Sequence, residues 1–198
     1  MYNRRYSGAL LCDRCLTKSV ERRFRRAINE NGLIAPGERI AVAVSGGKDS
    51  ITCMYLLSNY CKEKNCELIA VTVDEGIKDY REESLPIAGE NAESLGVEHH
   101  VISFKKAFGS SLDAMAKLAA KKHTRLNPCT YCGVLRRSIL NQAARELGAN
   151  KLATGHNLDD EAQAIMLNYI RADISRLCRL GPSYSPREGF VPRIKPLR

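Results

Sequence analysis

Short apolar runs recur along the chain, separated by longer stretches in which apolar residues return every third or fourth position. Residues 39–44 (RIAVAV) and 67–73 (ELIAVTV) are compact runs rich in Val and Ile, the pattern of strands buried on both faces. Residues 97–103 (VEHHVIS) give a weaker third strand, and 150–154 (NKLAT), running into Gly155, a short fourth. Helical periodicity fills the intervals at 48–62, 80–95, 111–121 and 133–147, and a further helix is expected at 158–171. Strands alternating with helices predict an α/β fold: a parallel sheet with helices on both faces. Such sheets bind ligands beyond the carboxyl ends of their strands.

The two ends of the chain depart from this alternation. In the N-terminal part, Val20, Phe24 and Ile28 are spaced by four and make a narrow apolar stripe. Arg22, Arg23, Arg25 and Arg26 cover much of the rest of that helix, and Pro36-Gly37 then breaks the chain. This predicts a small appendage at 1–35 and a main domain at 36–198. The tail, GPSYSPREGFVPRIKPLR, carries four prolines and is expected to be extended. No internal repeat or low-complexity segment is present. No apolar run approaches the roughly 18 residues that a membrane span needs. The apolar stretch in MYNRRYSGALLC is too short for a signal peptide, so no membrane is expected and the cytoplasm is the expected location.

Charge and cysteine content narrow the picture. Lys and Arg total 31 against 22 Asp and Glu, a formal charge of +9. Such an excess suits a polyanionic partner, because each neutralised phosphate releases counterions. Of the eight cysteines, Cys53, Cys61, Cys66 and Cys178 are scattered and read as ordinary thiols. Cys12/Cys15 and Cys129/Cys132 have C-x-x-C spacing, which suits redox, zinc or iron–sulfur chemistry.

The segment between the first main strand and its helix is Ser45-Gly46-Gly47-Lys48-Asp49-Ser50. Paired glycines allow a tight turn and close approach of a ligand to the backbone. The helix that follows presents free N–H groups and a positive dipole end, and the serines and Lys48 add donors and charge. A tight turn with a helix cap would use fewer of these features; the full hexapeptide favours a pyrophosphate. It does not fit the GxxxxGK[ST] pattern of the common NTPases. At the next strand end stand Asp74 and Gly76. At the fourth stands TGHNLDDEAQ, residues 154–163, with Gly155, His156, Asp159 and Asp160. Asn157 is placed to cap the next helix, and acids in its first turn complement the dipole. The same acids suit a divalent cation. In NPCTYCGVLRR, residues 127–137, Cys129 and Cys132 sit where a helix starts beside Arg136 and Arg137, a setting that favours thiolate.

SGGKDS resembles the SGGxDS signature of the PP-loop enzymes, whose fold is the HUP-like, adenine nucleotide alpha hydrolase-like parallel sheet. They cut ATP between its α- and β-phosphates and adenylate a carbonyl oxygen. With PCTYCGVLRR and ATGHNLDDEAQ added, nearly the whole chain resembles the archaeal and eukaryotic cytosolic tRNA 2-thiouridine synthetases. The resemblance implies an enzyme, a tRNA-uridine 2-sulfurtransferase. ATP would adenylate O2 of a tRNA uridine, the wobble position favoured over the T-loop, and sulfur would replace the oxygen. It implies ATP contacts from Val44, Ser45, Gly46, Gly47, Lys48, Asp49, Ser50, Val73, Asp74, Gly76, Gly155, His156 and Asp160, with Mg²⁺ at the acids. Asp160, Asp159, Arg136, Cys129 and Cys132 are the implied catalytic group, the two cysteines as ligands of a 4Fe-4S cluster. Cys12 and Cys15 would be half of a zinc site. Arg22, Arg23, Arg25, Arg26, Lys121, Lys122 and Arg125 would meet tRNA. A ubiquitin-like sulfur carrier and a homodimer are further family expectations. The family's third cluster cysteine lies beyond a segment like VPRIKPLR, and another cysteine-type pair precedes the counterpart of Cys12. A chain truncated at both ends is therefore expected. Alternatives are another PP-loop adenylating enzyme or a non-catalytic nucleotide- or RNA-binding fragment.

Overall fold

The computed structural model describes residues 1–4, 7–77, 83–121, 128–178, 180–181, 183–184 and 188–198, without the side chains of 128, 129, 183 and 184. An antiparallel pair, β1 (Tyr2–Arg4) and β2 (Ala9–Leu11), opens the chain and leads into α1 (Asp13–Glu30). Then come β3 (Arg39–Ala43), α2 (Lys48–Lys64), β4 (Glu67–Asp74), α3 (Ser84–Leu95) and β5 (Glu98–Ser103). They are followed by α4 (Phe104–Phe108), α5 (Leu112–Lys121), α6 (Pro128–Glu146) and β6 (Lys151–Thr154). Last come α7 (Leu158–Ile170), α8 (Ile174–Leu177), β7 (Ser183–Tyr184) and β8 (Arg193–Ile194).

The main sheet has the order β5-β4-β3-β6-β8-β7, parallel throughout except for β7 at one edge. Val42 of β3 pairs with Ala70 on one side and Ala153 on the other, so β3 is central, and its buried middle is wholly apolar. Alternation along it feeds two cores. Ile40 and Val42 join Met54 and Leu57 of α2, and Ala41 joins Leu152 with Ile139, Leu140 and Ala143 of α6.

α1 does not pack apart from this unit. Phe24 and Ile28 lie in the same buried cluster as Met54 and Leu57, and Phe24 meets Tyr60 edge-on at 6.3 Å. The expected stripe is shorter than its spacing suggested, since Val20 is 37% exposed. α6 begins five residues before the expected 133. Pro at a first helical position has its φ preset and gives up only an N–H that is unpaired there anyway. The tail contains β8, whose Ile194 pairs with Ala153, and whose neighbour Pro192 accepts from Leu152 N at 2.8 Å. A two-residue strand is too short for a periodic signal. No helix among the described residues is long and apolar enough to cross a membrane.

Candidate functional site

Strand order reverses between β3 and β6, and neighbouring loops part at such a switch point. A cleft of about 310 Å³ opens there. Val44, Val71 and Val73 give it an apolar base; Ser45, Asp49 and Ser50 line it from one loop; Thr154, Gly155, His156 and Asp160 line it from the other. Arg136 and Leu140 of α6 complete the wall. A larger groove, about 850 Å³, runs between α1 and Pro196–Arg198, and its lining includes none of these side chains.

The Ser45–Ser50 turn is fastened from within. Ser50 Oγ accepts from Ser45 N at 3.1 Å and donates to Gly47 O at 2.8 Å, while Ser45 Oγ lies 3.1 Å from Ser50 Oγ. Gly46 has φ +83°, and a Cβ there would collide with the Ser84 carbonyl of α3. The N-cap of α2 is Gly47, and no side chain caps that end. First-turn N–H groups therefore point outward unclaimed by a cap, which is the arrangement that receives a phosphate. Lys48 is mostly exposed, and its ammonium is held by Asp49 at 2.8 Å. That pairing raises the Lys48 pKa.

The facing turn is built differently. Asn157 Oδ1 accepts from Asp159 N and Asp160 N, and Asp160 Oδ2 accepts from Asn157 N at 2.9 Å, closing a capping box on α7. Gly155 is where the two turns touch: a Cβ would lie 2.9 Å from Ser50 Cα and N. His156 Nδ1 sits 2.9 Å from Thr154 Oγ1. Burial, then Lys195, hold the His156 pKa below its ordinary value, and Asp160 opposes them. Glu161, buried in the same helical turn, pairs with Lys195 and, at 3.6 Å, with Arg198, so it fastens the tail beside the site.

Asp74 and Gly76 form a local turn, Asp74 Oδ1 accepting from Gly76 N at 2.9 Å, outside the described lining of the cleft. Between them is a residue that sequence reasoning passed over. Glu75 is fully buried and its Oε1 lies 2.7 Å from Arg136 Nε. Arg136 in turn reaches to 3.6 Å from Cys132 Sγ. An acid at the carboxyl end of a strand was the available signal. Thr154 and Leu140 were missed too, because single apolar or hydroxyl residues carry no motif.

The remaining candidates are dispersed. The Cys129 thiol, Lys122 and Arg125 lie outside the described atoms; Lys121 is exposed at the end of α5. Arg22, Arg23 and Arg26 lie on α1, away from the lining of the cleft. Arg25 engages both carboxylate oxygens of Glu63 at 2.6 Å, and Arg26 pairs with Glu30 of its own helix at 2.8 Å. Cys12 and Cys15 are exposed and adjacent; hydrogen bonds from Cys15 lower the Cys12 pKa, and the Cys12 side chain raises that of Cys15. Among the described residues no three His, Cys, Asp or Glu side chains converge as a metal site. Burial pushes Cys53 and Cys61 up to about 12, so neither is a nucleophile at neutral pH.

Residues 16–189 match the PP-loop domain family. The chain belongs to that family. The PP-loop chain is 37% identical to the tRNA 2-thiolation protein NcsA of Haloferax volcanii, covering 98% of this chain and 64% of that protein. It is 36% identical to the cytoplasmic tRNA 2-thiolation protein 1 of Chlamydomonas reinhardtii, covering 100% and 55%. A solved structure of the U34-tRNA thiolase NcsA from Methanococcus maripaludis, with its [4Fe-4S] cluster, superposes with a TM-score of 0.85 at 39% identity, covering 100% of this chain and 63% of that one. The PP-loop chain thus spans somewhat more than half the length of these relatives.

Proposed function

We propose that this PP-loop chain carries out the ATP-dependent chemistry of tRNA 2-thiolation, with wobble uridine as the target. The observation that carries the reading is the shared cleft: the uncapped start of α2 and Arg136, which touches Cys132, line one space. The similarity to tRNA 2-thiolation proteins and to a U34-tRNA thiolase supports the substrate and the position.

The pyrophosphate of ATP rests on the N–H groups of the α2 start; Asp49 and Asp160, which line the cleft, would offer carboxylate oxygens to Mg²⁺, and the exposed Asp159 would be a further candidate. Uridine O2 attacks the α-phosphorus, and pyrophosphate leaves with the electrons of the α–β bridge. A sulfur nucleophile then adds to C2, and AMP departs with the former O2. Arg136, held by Glu75, places fixed positive charge beside the developing negative charge. Cys129 and Cys132 are this chain's candidates toward an iron–sulfur cluster. Among the described residues no third ligand converges on them. Cys12 and Cys15 are candidates for part of a zinc site, and Arg22, Arg23 and Arg26 for RNA backbone contact. A carrier protein with a C-terminal thiocarboxylate is the sulfur source this reading favours, a homodimer the assembly, and the cytoplasm the location.

The test is nucleoside mass spectrometry of tRNA from cells lacking the gene. Loss of 2-thiouridine at the wobble position, restored by the wild-type gene and not by an Asp160→Ala copy, supports the reading. Loss confined to the T-loop moves the target, and unchanged thiolation rejects the reading.

A further inference from the structure

Arg193 occupies an unusual place for a charged residue. In β8 it pairs with Leu152, while the next residue, Ile194, pairs with Ala153. Leu152 belongs to the core under α6, and Ile194 and Ala153 belong to the core under α2. Successive strand residues point to opposite faces, so Arg193 stands on the α6 face beside Leu152. Its Nε is buried and finds no hydrogen-bond partner among the described residues.

The stripe of α6 that approaches β8 is set by Asn141, whose side chain donates to Gly189 O at 3.2 Å and accepts from Val191 N at 2.8 Å. Arg137 lies four residues earlier on that stripe, about 6 Å toward the start of the helix. Arg193 lies two residues beyond Val191, about 6.6 Å along the strand. In a β-α-β unit helix and strand run in opposite directions, so both steps lead to the carboxyl edge of the sheet and bring Arg137 opposite Arg193. Arg137 is exposed, and its guanidinium folds back along α6 to Gly133. Burial and the charge of Arg137 both lower the Arg193 pKa, and Arg193 in turn acts on His156 in the cleft. No described carboxylate pairs with Arg193 or Arg137; the nearby acids are committed elsewhere, Glu75 to Arg136 and Glu161 to Lys195 and Arg198.

Two guanidinium groups on facing elements, one with a desolvated and unsatisfied donor, form a receptor for a tetrahedral oxyanion. We infer that Arg137 and Arg193 make a phosphate subsite beside the nucleotide cleft, and that it takes a backbone phosphate of the RNA next to the reacting base. The choice of RNA over the nucleotide rests on the thiolation reading and on place. The α2 start already serves the nucleotide's phosphates, and Arg137 opens to solvent outside the described cleft lining. Such a contact positions the strand and reads no sequence.

The experiment measures binding of a tRNA transcript by the full chain across a salt series, and ATP binding by calorimetry, for wild type, Arg137→Gln and Arg193→Gln. Each substitution is expected to flatten the slope of log K against log salt by about 0.7–0.9, one phosphate contact, with ATP affinity unchanged. A weakened ATP affinity with an unchanged tRNA slope assigns the site to a nucleotide phosphate and overturns the inference. Unchanged slopes and unchanged ATP affinity show that no phosphate binds there. Absence of tRNA binding by wild type removes the thiolation reading itself and the RNA assignment with it. That failure is distinguishable because it precedes any substitution.

Discussion

Two turns face each other across the cleft, and they finish their helices in opposite ways. At the start of α2 the cap position is glycine and no side chain takes the first N–H groups. At the start of α7, Asn157 and Asp160 satisfy each other's backbones completely enough to close a capping box. Both helices gain from negative charge at this end. Only α2 leaves the place vacant for a ligand; α7 fills it with its own carboxylates. The acidic run Asp159-Asp160-Glu161 therefore has structural employment first: Asp160 in the cap and Glu161 in the tether to Lys195. What Asp160 offers a cation or substrate is its second carboxylate oxygen, at the wall of the cleft.

The strongest way to break this comparison is to press the turns apart. Gly155→Ala puts a Cβ 2.9 Å from Ser50 Cα and N, backbone atoms that cannot rotate away. Gly46→Ala combines φ +83° with a collision at the Ser84 carbonyl. The left-handed conformation alone costs about 1–2 kcal/mol for alanine, and overpacking of this kind costs about 1–3 kcal/mol. Both variants are expected to unfold at lower denaturant and to lose ATP binding by calorimetry. A Gly155→Ala chain that binds ATP as wild type does would show that contact between the turns is unnecessary.

The hydropathy pattern carried much of this arrangement. The strands at 39–43 and 67–74 were legible because β3 and β4 are buried on both faces and read as continuous apolar runs. SGGKDS announced its turn because two glycines and two serines each have a separate physical task there. What stayed hidden depends on distant partners. β8 is two residues long and exists only because β6 offers an edge. Glu75 is legible as buried only once Arg136 stands beside it. Arg25 reads as one of four equivalent arginines until Glu63 of α2 singles it out. Why Gly155 is needed was not visible either: its backbone meets the start of α2, far earlier in the chain, and no local pattern records that.

Exchanging the caps sharpens the contrast at smaller scale. Asn157→Ala removes the acceptor for two N–H groups and is expected to cost about 1 kcal/mol in chemical denaturation, with ATP affinity little changed. Gly47→Asn does the reverse. Gly47 has φ −78° and ψ 156°, suited to an N-cap, and a Cβ there meets only Ser45 Oγ at an ordinary 3.5 Å. The new amide oxygen is expected to hold or slightly raise stability, by a few tenths of a kcal/mol, while competing with phosphate for the same N–H groups and weakening ATP by about tenfold or more, the worth of one charge-assisted hydrogen bond. If Gly47→Asn binds ATP normally, the open end of α2 is not the phosphate seat.

The smallest effect expected is a titration. His156 belongs to the second turn, and burial with Lys195 and Arg193 holds its pKa below the ordinary 6.5. A histidine whose pKa is lowered by folding takes up its proton more readily when unfolded. Its contribution to stability is therefore fully present above pH 6.5 and is lost as pH falls from there through the folded value. His99 is lowered in the same direction by burial and by His100, so part of the slope remains when His156 is removed. His156→Asn should flatten the fall in stability just below pH 6.5 without abolishing it. Bound ATP should flatten it as well in the wild-type chain, because phosphates beside the ring favour its protonated form. A slope unchanged by ATP would place the phosphates away from the second turn, wholly on the α2 side of the cleft.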